Sequence, residues 1–189
     1  MASVEADTPA TRPTRELILD AAEAVVARDG ARRLTIDAVV RQSGFSKGGV
    51  LYNFPSKLDL IKGMVERMVD FAETAHREAV AEAEARGEPV SSAMVRALCA
   101  YKEIDNRVSM GLLAAAAENP ELIDPVRDAM ARIGEELTAR AEDPDLARIV
   151  MLAADGLHFA DILGLDILTD EDRARIEARL VALVSETSP

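Results

Sequence analysis

The sequence predicts an all-α fold, on three observations. Apolar residues recur at three-to-four spacing along most of the chain. No segment of useful length alternates apolar and polar residues with β-branched enrichment. Ser, Thr, Asp, Pro and Gly fall at helix-length intervals, where helices start and stop. About nine helices are expected. The length suits one medium domain, or a small domain fused to a larger one.

The first helix is expected over Thr14–Asp29, with Ile18, Ala21, Ala22 and Val25 as its apolar stripe and Gly30 as its C-cap. Thr35 caps a short second helix that stops at Gly44. A third runs from Ser46 to Phe54, before Pro55. Ser56 then caps a long fourth helix, with Asp59 at the capping-box position. Its stripe is Ile61, Met64, Val65, Met68, Ala72, Ala75 and Ala79, and Arg86-Gly87 marks its end. Further helices are expected at about 91–105, 108–118, 120–141, 145–163 and 170–186. Ser91, Asn119-Pro120, Asp124-Pro125, Asp143-Pro144 and Thr169 mark their starts, and Pro125 either kinks one helix or begins its main part.

Composition excludes several classes. With 189 residues and 49% hydrophobic residues, the chain can bury a core and is not disordered. No stretch nears the ~18 apolar residues a membrane helix needs. The polar start, Met1 to Thr14, lacks the apolar core of a secretory leader, so a cytoplasmic protein is expected. The single cysteine, Cys99, cannot form an internal disulfide and reads as a small buried side chain. No phosphate-cradling glycine loop, HExxH or nucleophile elbow appears, so no enzyme, cofactor or metal is expected.

The net charge of −12 argues at first against nucleic acid. Its distribution changes that reading. Between Arg28 and Lys62 the positive residues Arg28, Arg32, Arg33, Arg41, Lys47, Lys57 and Lys62 outnumber Asp29, Asp37 and Asp59. A local basic patch on an acidic protein binds phosphates while the remainder repels non-specific contact.

Within that patch, Thr35–Phe54 reads TIDAVVRQSGFSKGGVLYNF: helix, tight turn, helix. Val39 and Val40 pack the first helix. Gly44 turns the chain, Phe45 plugs the turn, and Val50 and Phe54 bury the inner side of the next helix. Ser46, Lys47, Gly48, Gly49, Tyr52 and Asn53 are left largely outward. A short helix presenting small, basic and hydrogen-bonding residues fits the DNA major groove.

Residues 18–60, ILDAAEAVVARDGARRLTIDAVVRQSGFSKGGVLYNFPSKLDL, resemble the DNA-binding domain of the tetracycline-repressor (TetR) family without a gap, over about a quarter of the chain. The resemblance implies a helix-turn-helix DNA-binding domain of three helices over residues 14–60, after a disordered tail at 1–13, then a connecting fourth helix and an effector-binding domain over 61–189 that dimerises through its last two helices. By position it implies Thr35 and Ser46 as capping phosphate contacts and Lys47, Gly48 and Gly49 at the base-reading end. Tyr52 and Asn53 fall at the far end, and Lys57 is a phosphate anchor. The family's usual Tyr, three residues before the motif Phe, is Leu51 here, and Gly49 replaces the commoner Thr.

Residues 145–165, DLARIVMLAADGLHFADILGL, are apolar on nearly every side, which asks for cover on more than one face, as at a homodimer interface. LAADGL (Leu152–Leu157), with GGVLYNFPSK ahead of it, is similar to a subgroup that senses toxic, often cationic aromatic compounds and controls efflux. Met64, Met68, Phe71, Met94, Tyr101, Met110, Leu113, Met130 and Phe159 are candidates to line a small-molecule cavity, or else ordinary core. Asp155, His158 and Asp161 lie three apart. A hydrogen-bonding group in a pocket, or a dimer contact, is the preferred reading of them over a metal site. His76 is expected at the surface.

The sequence thus points to a dimeric, ligand-responsive repressor that binds a palindromic double-stranded operator and is released by an amphipathic or aromatic effector. The alternatives are a DNA-binding switch without a small-molecule ligand, and a small helical enzyme or carrier.

Overall fold

The computed structural model describes residues 12–100 and 106–185. Residues 1–11 of the expected tail lie outside the described residues, as do Tyr101, the expected end of the fifth helix and residues 186–189. Nine α-helices, two short 3-10 turns and no strand are found among the described residues. They are α1 (Thr14–Asp29), α2 (Ile36–Ser43), α3 (Lys47–Asn53), α4 (Lys57–Arg86), α5 (Val90–Ala100), α6 (Asn106–Glu118), α7 (Asp124–Ala139), α8 (Pro144–Ile162) and α9 (Asp170–Ser185). The chain divides into two compact units between Met64 and Val65, within α4. None of the described helices is long and apolar enough to cross a membrane.

In the first unit, short-range hydrogen bonds set the helix ends. Thr35 Oγ1 accepts from the Ala38 N–H at 3.1 Å, and Ser46 Oγ accepts from the Gly49 N–H at 3.1 Å. Ser56 Oγ accepts from the Asp59 N–H at 3.1 Å and donates to the Asp59 carboxylate at 2.7 Å. Gly44 closes α2 at φ 75°, a left-handed conformation that a side chain would strain. Ahead of α1, Arg12 Nη1 lies 2.6 Å from the Asp20 carboxylate.

The core of this unit gathers Ile18, Leu19, Ala22 and Val25 of α1 around Leu34, Val39, Val50, Phe54 and Leu60. The Arg15 guanidinium lies over the Phe54 ring, 5.2 Å from its centroid, and covers it with a cation–π contact. Gly63 admits Phe54: a Cβ there would sit 2.6 Å from Phe54 Cε1 and 3.2 Å from Leu19 Cδ2.

The second unit packs α5, α8 and α9 around Met94, Val95, Val150, Ala154, Leu157, Leu180 and Val184, with Leu137 of α7 joining them. Asp143 Oδ1 caps α8 by accepting from the N–H groups of Asp145 and Leu146 at 3.1 and 3.0 Å. Thr169 Oγ1 accepts from the Asp172 N–H at 3.1 Å. Residues 120–123 form a separate 3-10 turn, and Pro125 lies in the first turn of α7, so Pro125 begins that helix rather than kinking it. Ser91 does not cap α5. The helix starts at Val90, and the buried Ser91 hydroxyl donates instead to the Val184 carbonyl of α9 at 3.3 Å.

Candidate functional site

α2, the Gly44 turn and α3 form a helix-turn-helix. Val39 and Val50 are wholly buried, so the turn is held from inside and the opposite face of α3 is free. On that face Tyr52 is 89% exposed, and nothing in the core requires a large aromatic there. Lys47 is exposed at the N-terminus of α3, with its Nζ 3.0 Å from Asp37 Oδ1 of α2. Gly48 is exposed, and a Cβ there would meet nothing within 4 Å. Its smallness therefore serves no packing inside this unit.

Lys57 is exposed in the first turn of α4, and its ammonium donates to the Ala31 carbonyl at 3.2 Å. Thr35 and Ser46 are exposed caps at the N-termini of α2 and α3, where backbone N–H groups favour an anion. Asn53 departs from expectation. It is half-buried, and its Nδ2 donates to the Gly49 carbonyl at 2.9 Å, because an amide four residues on can reach back along its own helix. Leu51 is also half-buried, so the place of the missing Tyr is partly turned inward.

In the second unit a cavity of ≈ 240 Å³ opens among α4, α5, α6, α7 and α8. Of the sequence candidates, Met68, Leu113, Met130, Asp155, His158 and Phe159 line it. Met64 and Met94 do not: both are wholly buried in core. Phe71 and Met110 are 45% and 39% exposed and lie off the cavity wall. Helical spacing alone cannot tell a core-facing methionine from a cavity-facing one.

The wall is mostly aliphatic, and its polar side chains are His76, Ser109, Asp155 and His158. Asp155 is half-buried, and burial pushes its carboxyl above the ordinary range. His158 is shifted the other way, burial lowering its imidazole. Asp161 belongs elsewhere: it pairs with Arg173 of α9 at 2.5 Å. Among the described residues no group of three or more His, Cys, Asp or Glu is placed to hold a metal ion.

His76 overturns its surface expectation, being only 6% exposed. Its Nε2 lies 3.0 Å from Glu136 Oε2 of α7, and its Nδ1 is buried with no hydrogen-bond partner. An unsatisfied buried polar atom costs about 1–3 kcal/mol. The missing signal was α7: Glu136 is 60 residues away, and one sequence gives no pairing between two helices.

Comparison with known proteins agrees with this arrangement. Residues 18–64 match the family model for bacterial regulatory proteins of the tetR family. Residues 88–185 match that for the tetracyclin repressor-like C-terminal domain. No curated protein matches the chain. Among solved structures, a transcriptional regulator from Rhodococcus sp. Rha1 is similar with a TM-score of 0.70 at 20% identity, over 92% of this chain and 97% of its own. A complex of the multidrug binding protein EbrR with malachite green is similar with a TM-score of 0.68 at 22% identity, over 92% and 99%. The ethidium complex of EbrR gives a TM-score of 0.62 at 26% identity, over 90% and 98%. Both family models fall in register on this chain, the first spanning the helix-turn-helix and the second more than half of the sequence, and the chain belongs to the TetR family of transcriptional regulators.

Proposed function

We propose that the protein is a ligand-responsive transcriptional repressor that binds a palindromic operator as a homodimer in the cytoplasm and is released by an amphipathic or aromatic effector. Residues 14–60 read DNA, and residues 61–189 bind effector and dimerise. The observation that carries this reading is a helix-turn-helix with an exposed, core-independent reading face in a chain that also has a lined cavity. Lys47, Gly48, Gly49 and Tyr52 contact bases and adjoining backbone. Thr35, Ser46 and Lys57 hold phosphates, and Asn53 acts by shaping the end of α3.

The dimer reading rests on α8. Ile149, Leu152, Phe159 and Leu163 are each about half exposed or more, at a spacing that runs along one side of the helix with the exposed Gly156 between them. An apolar stripe of that size on a monomer calls for a partner. A second copy, related by two-fold symmetry, explains a palindromic operator.

Effector binding shifts a two-state equilibrium through α4, which supplies Leu60 to the core of the DNA-reading unit and Met68 to the cavity wall. The effector acts only by its differential affinity for the two states. Asp155 makes no hydrogen bond or ion pair with the described residues, and an aliphatic wall around such a carboxylate favours a cationic aromatic ligand. The multidrug binding protein EbrR, seen with ethidium and with malachite green, supports that class. The cavity itself favours this reading over a ligand-free switch.

The test is release from an operator fragment by a panel of cationic, neutral and anionic aromatic compounds. Release by cations, lost in Asp155→Asn, is expected. Release only by anionic or strongly polar compounds would refute the cation assignment, and binding of no compound would refute the effector reading.

A further inference from the structure

The first unit has a polar recess of its own. The end of α1, the 3-10 turn at 31–33 and the outer side of α2 form it, and Arg28, Asp29, Arg33, Ala38, Arg41 and Gln42 line it. Its three arginines are not alike. Arg28 is committed within the recess: Nε and Nη2 donate to the Asp29 carboxylate at 3.1 and 2.8 Å, and Nη1 donates to Gln42 Oε1 at 2.8 Å, tying α1 to α2. The hydrogen bond from Arg28 holds the Asp29 carboxyl below its ordinary range, and the charges of Arg28 and Arg33 add to it. Asp29 therefore stays ionised and offsets one guanidinium. The side chains of Arg33 and Arg41 are exposed and make no hydrogen bond or ion pair with the described residues.

The recess thus carries two surplus positive charges. Ala38 is its only apolar side chain, so it offers a ligand charge rather than burial. A compact anion held by exposed charge alone is bound weakly in water. A polyanion held at other points as well gains from each added contact, because each one releases a counterion. Placement points the same way. Arg33 stands two residues before the Thr35 cap. Arg41 stands one turn beyond Asp37, on the side of α2 whose Asp37 carboxylate meets Lys47 of α3 at 3.0 Å. The recess continues along α2 the face that carries the proposed DNA contacts.

We propose that Arg33 and Arg41 form a further phosphate clamp, each neutralising one phosphate of the DNA backbone beside the groove that α3 enters. This inference rests on the DNA reading of the first unit and extends its backbone contact beyond Thr35, Ser46 and Lys57. The clamp adds affinity and no sequence preference.

The probes are a duplex that the full chain selects from a random-sequence pool and a scrambled duplex of equal length. Fluorescence anisotropy across a salt series gives the slope of log affinity against log salt for the unmodified protein, Arg33→Gln, Arg41→Gln, the double variant and Arg32→Gln. Arg32 is exposed, carries the same charge one residue away and does not line the recess. The slope is expected to fall by about one phosphate contact in each recess variant and by about two in the double variant. Both duplexes are expected to lose alike, so that the ratio of their affinities is unchanged. Arg32→Gln is expected to lower the slope by less than half as much as either recess variant.

An equal loss in Arg32→Gln means that net charge alone acts, and overturns the proposal. A changed ratio between the duplexes places the arginines in base reading and overturns it too. So does an unchanged slope in the double variant; inorganic phosphate bound by the unmodified protein and not by that variant then gives the recess to a free anion. Failure of the unmodified protein to bind any duplex overturns the DNA reading itself. Binding of DNA with no dependence on Arg33 and Arg41 overturns this inference alone.

Discussion

The ammonium of Lys47 lies 3.0 Å from a carboxylate oxygen of Asp37, so the charge at the head of α3 is shared with the first turn of α2. Both side chains are well exposed, and such pairs contribute only about 0–1 kcal/mol. The pair is thus easily exchanged for a phosphate or a base edge. Asp37→Asn is expected to tighten DNA binding severalfold and to steepen its salt dependence, because it frees Lys47 and removes a charge that repels the duplex. Lys47→Ala is expected to change sequence preference more than overall affinity. Fluorescence anisotropy on operator and scrambled duplexes at several salt concentrations measures both.

Lys57 reaches the Ala31 carbonyl, so its ammonium is held at a fixed place in the first turn of α4. Lys57→Ala is expected to weaken binding to all sequences alike and to reduce the salt slope by about one phosphate contact. Unchanged binding across a salt series removes Lys57 from the proposed interface.

Gly63 is required by packing rather than by backbone conformation. A methyl group there would press on the Phe54 ring, Leu19 and the Arg15 guanidinium together. Gly63→Ala is expected to destabilise the first unit by about 1–3 kcal/mol, despite the better helix propensity of alanine. Urea unfolding followed by circular dichroism reads the loss.

Leu152 is 65% exposed on α8, whereas Leu157 is only 8% exposed and packs in the subunit core. A charge on the two positions therefore acts differently. Leu152→Glu is expected to yield a folded monomer in sedimentation, and Leu157→Glu to unfold the second unit. A dimer that survives Leu152→Glu together with Ile149→Glu places the interface elsewhere.

Burial raises the Asp155 carboxyl, so the folded state favours its protonated form. That contribution to stability is complete below the ordinary carboxylate range and is lost as pH rises through the raised value. Asp155→Asn is accordingly expected to be the more stable protein at neutral pH, with the difference vanishing in acid. Thermal unfolding from mildly acidic to neutral pH checks the sign. An unmodified protein more stable than the variant at neutral pH contradicts it.

By itself, the sequence determined where the helices begin and how the reading turn is built. Thr35, Ser46, Ser56, Asp143 and Thr169 each satisfy an N–H group two or three residues ahead, and Gly44 takes its left-handed conformation unaided. Those interactions close within a few residues, so a linear reading captures them. The outward place of Tyr52 was legible for the same reason: once Val50 turns inward, the helical repeat puts Tyr52, two residues on, across the helix.

Tertiary structure alone decided what each face meets. Met68 and Met130 line the cavity while Met64 and Met94 fill core, although all four are apolar residues on helices. Ser91, at a capping-like position, turns to the Val184 carbonyl of α9. His76, polar and followed by Arg77 and Glu78, is buried because α7 brings Glu136 to it across 60 residues of chain. Helical periodicity fixes which side chains share a face. Burial, partners and cavities come from the helices packed against that face, whose arrangement no local pattern encodes.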